Sequence, residues 1–281
     1  MTSDPTPTTS PAAPHGVDIT KPAAARVYDW YLGGAHNFDV DREFGREMVE
    51  RLPVVARCAV ENRDFLRRAV EWLCEQGVDQ FLDLGSGVPT AGNVHEIAQR
   101  HNAGARTVYV DYEQVAVTHA NMVLDEQDPA RERTTVVQAD LRNPAAVLED
   151  PETTRLLDLD RPVALLVVAV LHFVAPADRP ENFLQQYRDA LAPGSFVALS
   201  QMTNDGAPQD LHEQAETVRQ GYSKSSNPGY FRSRAEFTAL FGEFAVVEPG
   251  VTWTPEWHPD SELTEDPARA LFLCGVARHT G

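Results

Sequence analysis

The chain has 281 residues and a formal net charge of −18, with 24 Lys and Arg against 42 Asp and Glu. That length accommodates one large domain with a smaller addition and can bury a sizeable core. The acidic balance, without any basic run, argues against nucleic acid as a partner, because binding a polyanion draws on clustered Lys and Arg.

No N-terminal segment joins basic residues to an apolar run, and no apolar stretch reaches the ~18 residues of a bilayer span. No membrane contact is expected, and the protein reads as cytoplasmic. Residues 1–16 are rich in Thr, Ser and Pro and are expected to form a disordered tail. Residues 17–79 then read as a helical cap. Its first helix is expected to be capped by Thr20, to hold Pro22 in its first turn and to continue through Ala23 to Leu32, ending at Gly33 and Gly34. A second is expected from Asp39 or Asp41 to Pro53. A third runs from Val54 to Gln76, with Val55, Ala59, Phe65, Ala69, Val70 and Leu73 at helical spacing and Gly77 as its stop. Cys58 and Cys74 fall on apolar positions of this helix. With Cys274 they are odd in number and lack metal-ligand spacing, so they read as reduced core residues, and no metal site is expected.

From Gln80 onward strands and helices alternate. Strands are expected at Phe81 to Leu84, Thr107 to Asp111, Thr135 to Ala139, Val163 to Val170, Phe196 to Gln201, Phe244 to Val247 and Leu271 to Ala277. Helices fit at Gly92 to Arg100, Gln114 to Glu126, Arg179 to Leu191, Pro208 to Gln220 and Arg234 to Phe241. This alternation predicts a mostly parallel sheet covered on both faces. Only a loop rich in Pro and Trp separates the last two strands, which predicts that they pair antiparallel.

Three successive strand ends carry groups suited to one ligand, and in open α/β sheets ligands bind beyond those ends. The first gives Asp83, Leu84, Gly85, Ser86 and Gly87, a tight turn where backbone comes close to a bound molecule. The second ends at Asp111, a carboxylate able to accept from both hydroxyls of a ribose. The third ends at Asp140 and Leu141, an acceptor beside a backbone N–H that together can read an adenine edge. A nicotinamide dinucleotide and S-adenosylmethionine both fit such a site. Against the dinucleotide, Thr90 stands where its fingerprint wants a third glycine, and Pro89 removes a donor that a pyrophosphate would use.

The run LDLGSGVPT, followed by VYVDY, QADLR and LLVVAVLHFV, resembles class I S-adenosylmethionine-dependent methyltransferases. The blocks RVYDWYLGGAHNFDVD and ENRDFLRRAV look more specifically like a bacterial S-adenosyl methyltransferase family formerly catalogued as a domain of unknown function. The likeness runs from about Thr20 to the end. It implies an α/β, Rossmann-like class I fold: a seven-stranded, mostly parallel sheet with a reversed last strand in residues 80–281, plus the N-terminal helical cap. It also implies S-adenosylmethionine as cofactor, with Gly85, Ser86 and Gly87 along the methionine and ribose, Asp111 on the ribose and Tyr112 beside the adenine. Asp140 and Leu141 fall to the adenine edge, and Asp83 to the methionine ammonium. Pro89 departs from the broader pattern, although the narrower family shares it.

Tyr28, Tyr31 and Phe38, with Gly33, Gly34 and Asn37 between them, are expected to fold over the site as a lid, because an aromatic face stabilises a desolvated cation such as a sulfonium by about 0.5–2 kcal/mol. The alternative is that these rings only pack the cap on the sheet. Arg63 reads as a partner for the cofactor carboxylate or as a surface residue. His172, directly after the fourth strand, is the candidate general base, or else packs against the adenine or bonds the backbone. The expected function is methyl transfer from S-adenosylmethionine to a small-molecule substrate. A non-catalytic S-adenosylmethionine-binding protein and an NAD-dependent oxidoreductase are the alternatives, and a homodimer is compatible with the pattern.

Overall fold

The computed structural model describes residues 18–88, 92–263 and 267–281. The expected tail, Pro89 and Thr90 therefore lie outside the described residues.

Three helices come first: α1 (Ala24–Tyr31), α2 (Asp39–Arg51) and α3 (Val55–Glu75). Alternating elements follow as β1 (Gln80–Leu84), α4 (Val94–His101), β2 (Arg106–Asp111), α5 (Gln114–Gln127) and β3 (Thr134–Gln138). Two short helices, α6 (Pro144–Leu148) and α7 (Pro151–Leu156), lead into β4 (Ala164–Val168). The chain ends with α8 (Pro180–Asp189), β5 (Phe196–Met202), α9 (Gln209–Tyr222), α10 (Arg234–Ala239), β6 (Ala245–Val246), β7 (Thr252–Trp253) and β8 (Phe272–Arg278).

The strands lie in the order β3-β2-β1-β4-β5-β8-β6, with β7 paired to β8 off that path. The first five run parallel, and β8 is antiparallel to β5, β6 and β7. The reversed last strand is as expected, while β7 is an addition that the sequence pattern did not give. Every residue of β1 and of β5 is buried, as parallel strands covered on both faces require.

One face of the sheet packs Leu82, Val110 and Leu165 against Phe183, Leu184 and Tyr187 of α8. The other packs Phe81, Leu166 and Ala198 against Phe65, Ala69 and Leu73 of α3 and Ile97 of α4. Burying Phe65 alone is worth about 1.5–3 kcal/mol. The loop beyond β7 is fastened here as well: Trp257 meets Phe65 edge-on at 5.4 Å, and Arg68 of α3 donates to the carbonyls of Thr254 and Trp257. A third apolar cluster joins Val27, Met48, Val55 and Cys58 of the first three helices to Met202, Val218, Tyr222 and Phe272.

Two expected helix starts are corrected. Thr20 does not cap α1, because its N–H and hydroxyl turn back to Asp18. The first donors of α1 go instead to distant groups: Ala23 N–H to Asp41 and Ala24 N–H to Asn227. Helix α4 begins later than Gly92, and the N–H groups of Gly92 and Asn93 are taken by the Glu96 carboxylate. A glutamate reaching back in this way satisfies the free donors of a helix start. That start therefore does not serve as the ligand cradle.

Candidate active site

The strand ends enclose a cavity of about 440 Å³. The turn after β1 shapes its floor. Gly85 has φ +72°, and its N–H, like that of Ser86, donates to the Val110 carbonyl at the end of β2. A Cβ on Gly85 would fall 2.5 Å from the Val170 side chain, so this glycine is needed for space as well as conformation. Gly87 has φ +67° with open space around it, and its N–H donates to Asp111 at 2.8 Å.

Asp83, Gly85, Ser86, Gly87, Asp111 and Tyr112 all line the cavity, as do Asp140, Leu141, Arg63 and Tyr28. Asp83 is buried and its carboxylate makes no hydrogen bond among the described residues; burial pushes its pKa up to about 7, with Arg63 opposing and the nearby Asp111 reinforcing. Asp111 is pushed up to about 6, chiefly by burial. Its two oxygens accept from Gly87 N–H and Glu113 N–H, each keeping a second lone pair. Arg63 donates to the Gly92 carbonyl and to Asn93, while its Nε is buried without a partner.

The third strand end differs from expectation. The Asp140 carboxylate is engaged on both oxygens by Arg142, which also reaches Asp178. An adenine amino group would have to share this acceptor. The N–H of Leu141 has no acceptor among the described residues, and its carbonyl takes the Tyr187 hydroxyl.

Of the expected lid, Tyr28 and Tyr31 line the cavity, whereas Gly34, Asn37 and Phe38 do not. Asn37 is buried, donating to Asp29 and the Gly34 carbonyl and accepting from Arg42. A Cβ on Gly34 would strike the Asp29 carboxylate at 2.0 Å. These two residues build the turn between α1 and α2, and that close approach explains their types without a ligand. Phe38 packs with Val88, Val115 and Ala116, and Trp30 packs on Gly45 of α2.

His172 is buried on the cavity wall in a 3-10 turn after β4. Its Nδ1 accepts the Met202 N–H at 3.2 Å, and burial, with the Arg232 charge, pushes its pKa down to about 3. The expected role of general base is corrected accordingly: the ring stays neutral, its Nδ1 lone pair is occupied, and Nε2 carries the proton. That Nε2 makes no hydrogen bond among the described residues.

A family model described as S-adenosyl methyltransferase matches residues 10–280. The chain belongs to this family. It is similar to a protein of Thermobifida fusca described as a candidate methyltransferase, at 37% identity, covering 95% of this chain and 98% of that one with a TM-score of 0.88. A DUF574 family protein of Streptomyces avermitilis is 35% identical, covering 92% of this chain and 97% of the other with a TM-score of 0.85. Magnesium protoporphyrin IX methyltransferase of Synechocystis, solved with S-adenosylhomocysteine bound, shares the fold at 14% identity, covering 90% of this chain and 93% of that one with a TM-score of 0.50. No curated protein matches. The chain is thus an S-adenosylmethionine-dependent methyltransferase, and the nicotinamide alternative is set aside.

The methyltransferase cavity suits that cofactor on its own chemistry. It is lined by an unpaired buried carboxylate at Asp83, the guanidinium-bearing Arg63, free acceptor capacity at Asp111 and an unused N–H at Leu141. Cationic, anionic and hydroxyl groups of one small molecule would find complements there.

Residues of the wall, and others that hold it from behind, carry no motif of their own. Ala169, which follows β4, is held at φ +58° with its N–H on the carbonyl and hydroxyl of Ser200. The Ser200 hydroxyl donates to Asn62 of α3, Asn62 to the Tyr28 hydroxyl, and Tyr28 to the Ala59 carbonyl. Arg232 clamps the carbonyls of Leu171 and Val174, on either side of His172. Asn62 left a trace in the sequence as a polar break in an apolar helix face. Ser200 and Arg232 left none, because their partners come from other elements.

Proposed function

We propose that this methyltransferase holds S-adenosylmethionine over β1, β2 and β3 and passes its methyl group to a small molecule seated over β4, β5 and β8. When bound, the cofactor supplies an electrophilic methyl group on a sulfonium sulfur. Asp83 receives the ammonium of the methionine portion and Arg63 its carboxylate. Asp111 accepts from the ribose hydroxyls, Tyr112 flanks the adenine, and the Leu141 N–H and Asp140 meet the adenine edge. Tyr28 borders the methionine side. His172 acts as a hydrogen-bond donor toward the acceptor, and the protein's share of the rate is to hold two reactants in line.

The observation that carries this reading is a single cavity with two unlike parts, polar strand ends on one side and the third apolar cluster on the other. A space of about 440 Å³ supports a small molecule rather than nucleic acid, in keeping with the charge of −18. Among the described residues no helix is long and apolar enough to cross a membrane, and a cytoplasmic enzyme is the reading we adopt.

Isothermal titration with S-adenosylhomocysteine tests the cofactor half. Asp111→Ala should weaken binding by about 1.5–3 kcal/mol, the scale of hydrogen bonds to a charged group. Unchanged affinity would move the ribose elsewhere in the cavity.

A further inference from the structure

The second part of the cavity is cut into the third apolar cluster, and Tyr31, Val55, Phe173, Met202, Tyr222 and Phe272 wall it. The rings stand close together: Phe173 and Tyr222 have centroids 5.4 Å apart, and His172 lies 4.3 Å from Phe173 and 5.5 Å from Phe272. Polar groups are few. The phenols of Tyr31 and Tyr222 are kept protonated by burial, and the Arg219 guanidinium is tied to both oxygens of Glu216.

The carboxylates that line the cavity are on the strand-end side: Asp83, Asp111 and Glu113 near β1 and β2, and Asp140 with Asp178 around Arg142. A cationic amine placed among the rings would find only their faces, worth about 0.5–2 kcal/mol and less than the several kcal/mol that an unpaired charge costs on leaving water, and a polyol would leave most of its hydroxyls unpaired in an apolar space. What this wall does offer is a donor. Because Nδ1 of His172 is filled by the Met202 N–H, the ring presents an N–H at Nε2 and can only give a hydrogen bond there. A few placed polar groups in an apolar pocket fix the orientation of its ligand.

We propose that the methyl acceptor is an apolar aromatic alcohol, a phenol whose ring lies among Tyr31, Phe173, Tyr222, Phe231 and Phe272 and whose oxygen accepts from His172 Nε2–H. This rests on the methyltransferase reading above. In the transfer a lone pair of the phenol oxygen forms the new O–C bond, the S–C bond breaks with its electron pair returning to sulfur, and the hydroxyl proton leaves to solvent. A phenol releases that proton to solvent far more readily than an aliphatic alcohol, and the His172 donor stabilises the phenolate left before the transfer, so no protein base is required.

The test titrates the full chain, saturated with S-adenosylhomocysteine, with 2-naphthol and with 1-naphthylmethylamine, a cation of similar size. The phenol should bind at least tenfold more tightly than the amine. Phe231→Ala, a change at a half-buried wall residue, should weaken 2-naphthol about tenfold while leaving the affinity for S-adenosylhomocysteine unchanged. Amine binding equal to or tighter than phenol binding would overturn the proposal. So would the absence of phenol binding to a protein that binds S-adenosylhomocysteine, or a 2-naphthol affinity indifferent to Phe231→Ala. Failure to bind S-adenosylhomocysteine at all would instead overturn the reading on which the proposal rests.

Discussion

Asp83 carries its carboxylate into the cavity without a hydrogen-bond partner among the described residues, and burial raises its pKa from the ordinary 3.8 to about 7. An acid with a raised folded-state pKa favours folding while it is protonated. Its contribution is full below the unfolded value of 3.8 and is lost as pH rises through about 7. Asp83→Asn should therefore raise the stability of the ligand-free protein at pH 8 by about 1–2 kcal/mol, less than full linkage would give because the cavity admits water. Thermal unfolding at pH 5 and pH 8 would check this, with the gain at pH 8 more than twice that at pH 5 and vanishing below the unfolded value of 3.8. The same substitution should weaken S-adenosylhomocysteine binding by about 1.5–3 kcal/mol through loss of the charged partner. In the unmodified protein the affinity should climb about tenfold per pH unit below 7, and level off before the ligand ammonium, with a reference pKa of about 8, begins to lose its proton. A flat profile from pH 5 to pH 7 would show that the ammonium lies elsewhere. The position of Asp83 was legible in the sequence, since an acid before Gly-Ser-Gly marks a strand end. Its poised state was not, because the burial that raises its pKa and the opposed charges of Arg63 and Asp111 come from other elements.

At the scale of elements, local signals did well where they had no competitor and failed where tertiary partners took over. Helix α3 spans Val55–Glu75, close to the stretch its apolar spacing predicts, and Gly77 follows with φ +87°. The start of α1 was misread because Asp41 and Asn227 satisfy its first donors in place of Thr20. Helices α6 and α7 went unread although each carries an N-cap acceptor followed by proline, Asn143-Pro144 and Asp150-Pro151; five or six residues leave too little periodicity to notice. Strand β7 has two residues and exists only because β8 offers it an edge. The chain from Tyr28 through Asn62 and Ser200 to Ala169 joins α1, α3, β5 and the end of β4, so its energetics belong to this scale. Ser200→Ala would leave the buried Asn62 oxygen without its donor, whereas Ala169 N–H would keep the Ser200 carbonyl. We expect a loss of about 1–3 kcal/mol, read from the urea midpoint at unchanged slope. A loss under 0.5 kcal/mol, roughly the level of a neutral surface change, would mean that water replaces the hydroxyl.

Across the whole molecule, one half of the cavity was written in three short motifs, and the other was assembled from α1, α3, the turn after β4, α9 and the segment 226–231. No local pattern announces such a wall, since its members share only their place in the fold. The same assembly closes the cavity on one side. Asn227 donates to the Tyr112 hydroxyl and accepts from Ala24 N–H, Ser226 N–H donates to the Pro22 carbonyl, and Tyr230 N–H donates to the His172 carbonyl at 2.7 Å. The beginning of α1, the end of β2 and the segment after α9 are thus fastened to one another beside both halves of the site. A molecule entering on this side must part these bonds and let them reform behind it. Asn227→Ala removes two of them without touching Asp83, Asp111 or the glycine turn. If the junction is a gate, the cost of opening falls for entry and exit alike, so the association and dissociation rates of S-adenosylhomocysteine should both rise about 3- to 10-fold, as expected for hydrogen bonds worth about 0.5–1.5 kcal/mol each, while Kd changes little. Stopped-flow fluorescence would separate the two rates. A faster dissociation with unchanged association would mean that Asn227 holds the ligand itself, and the closing wall would then belong to the binding site rather than to its entrance.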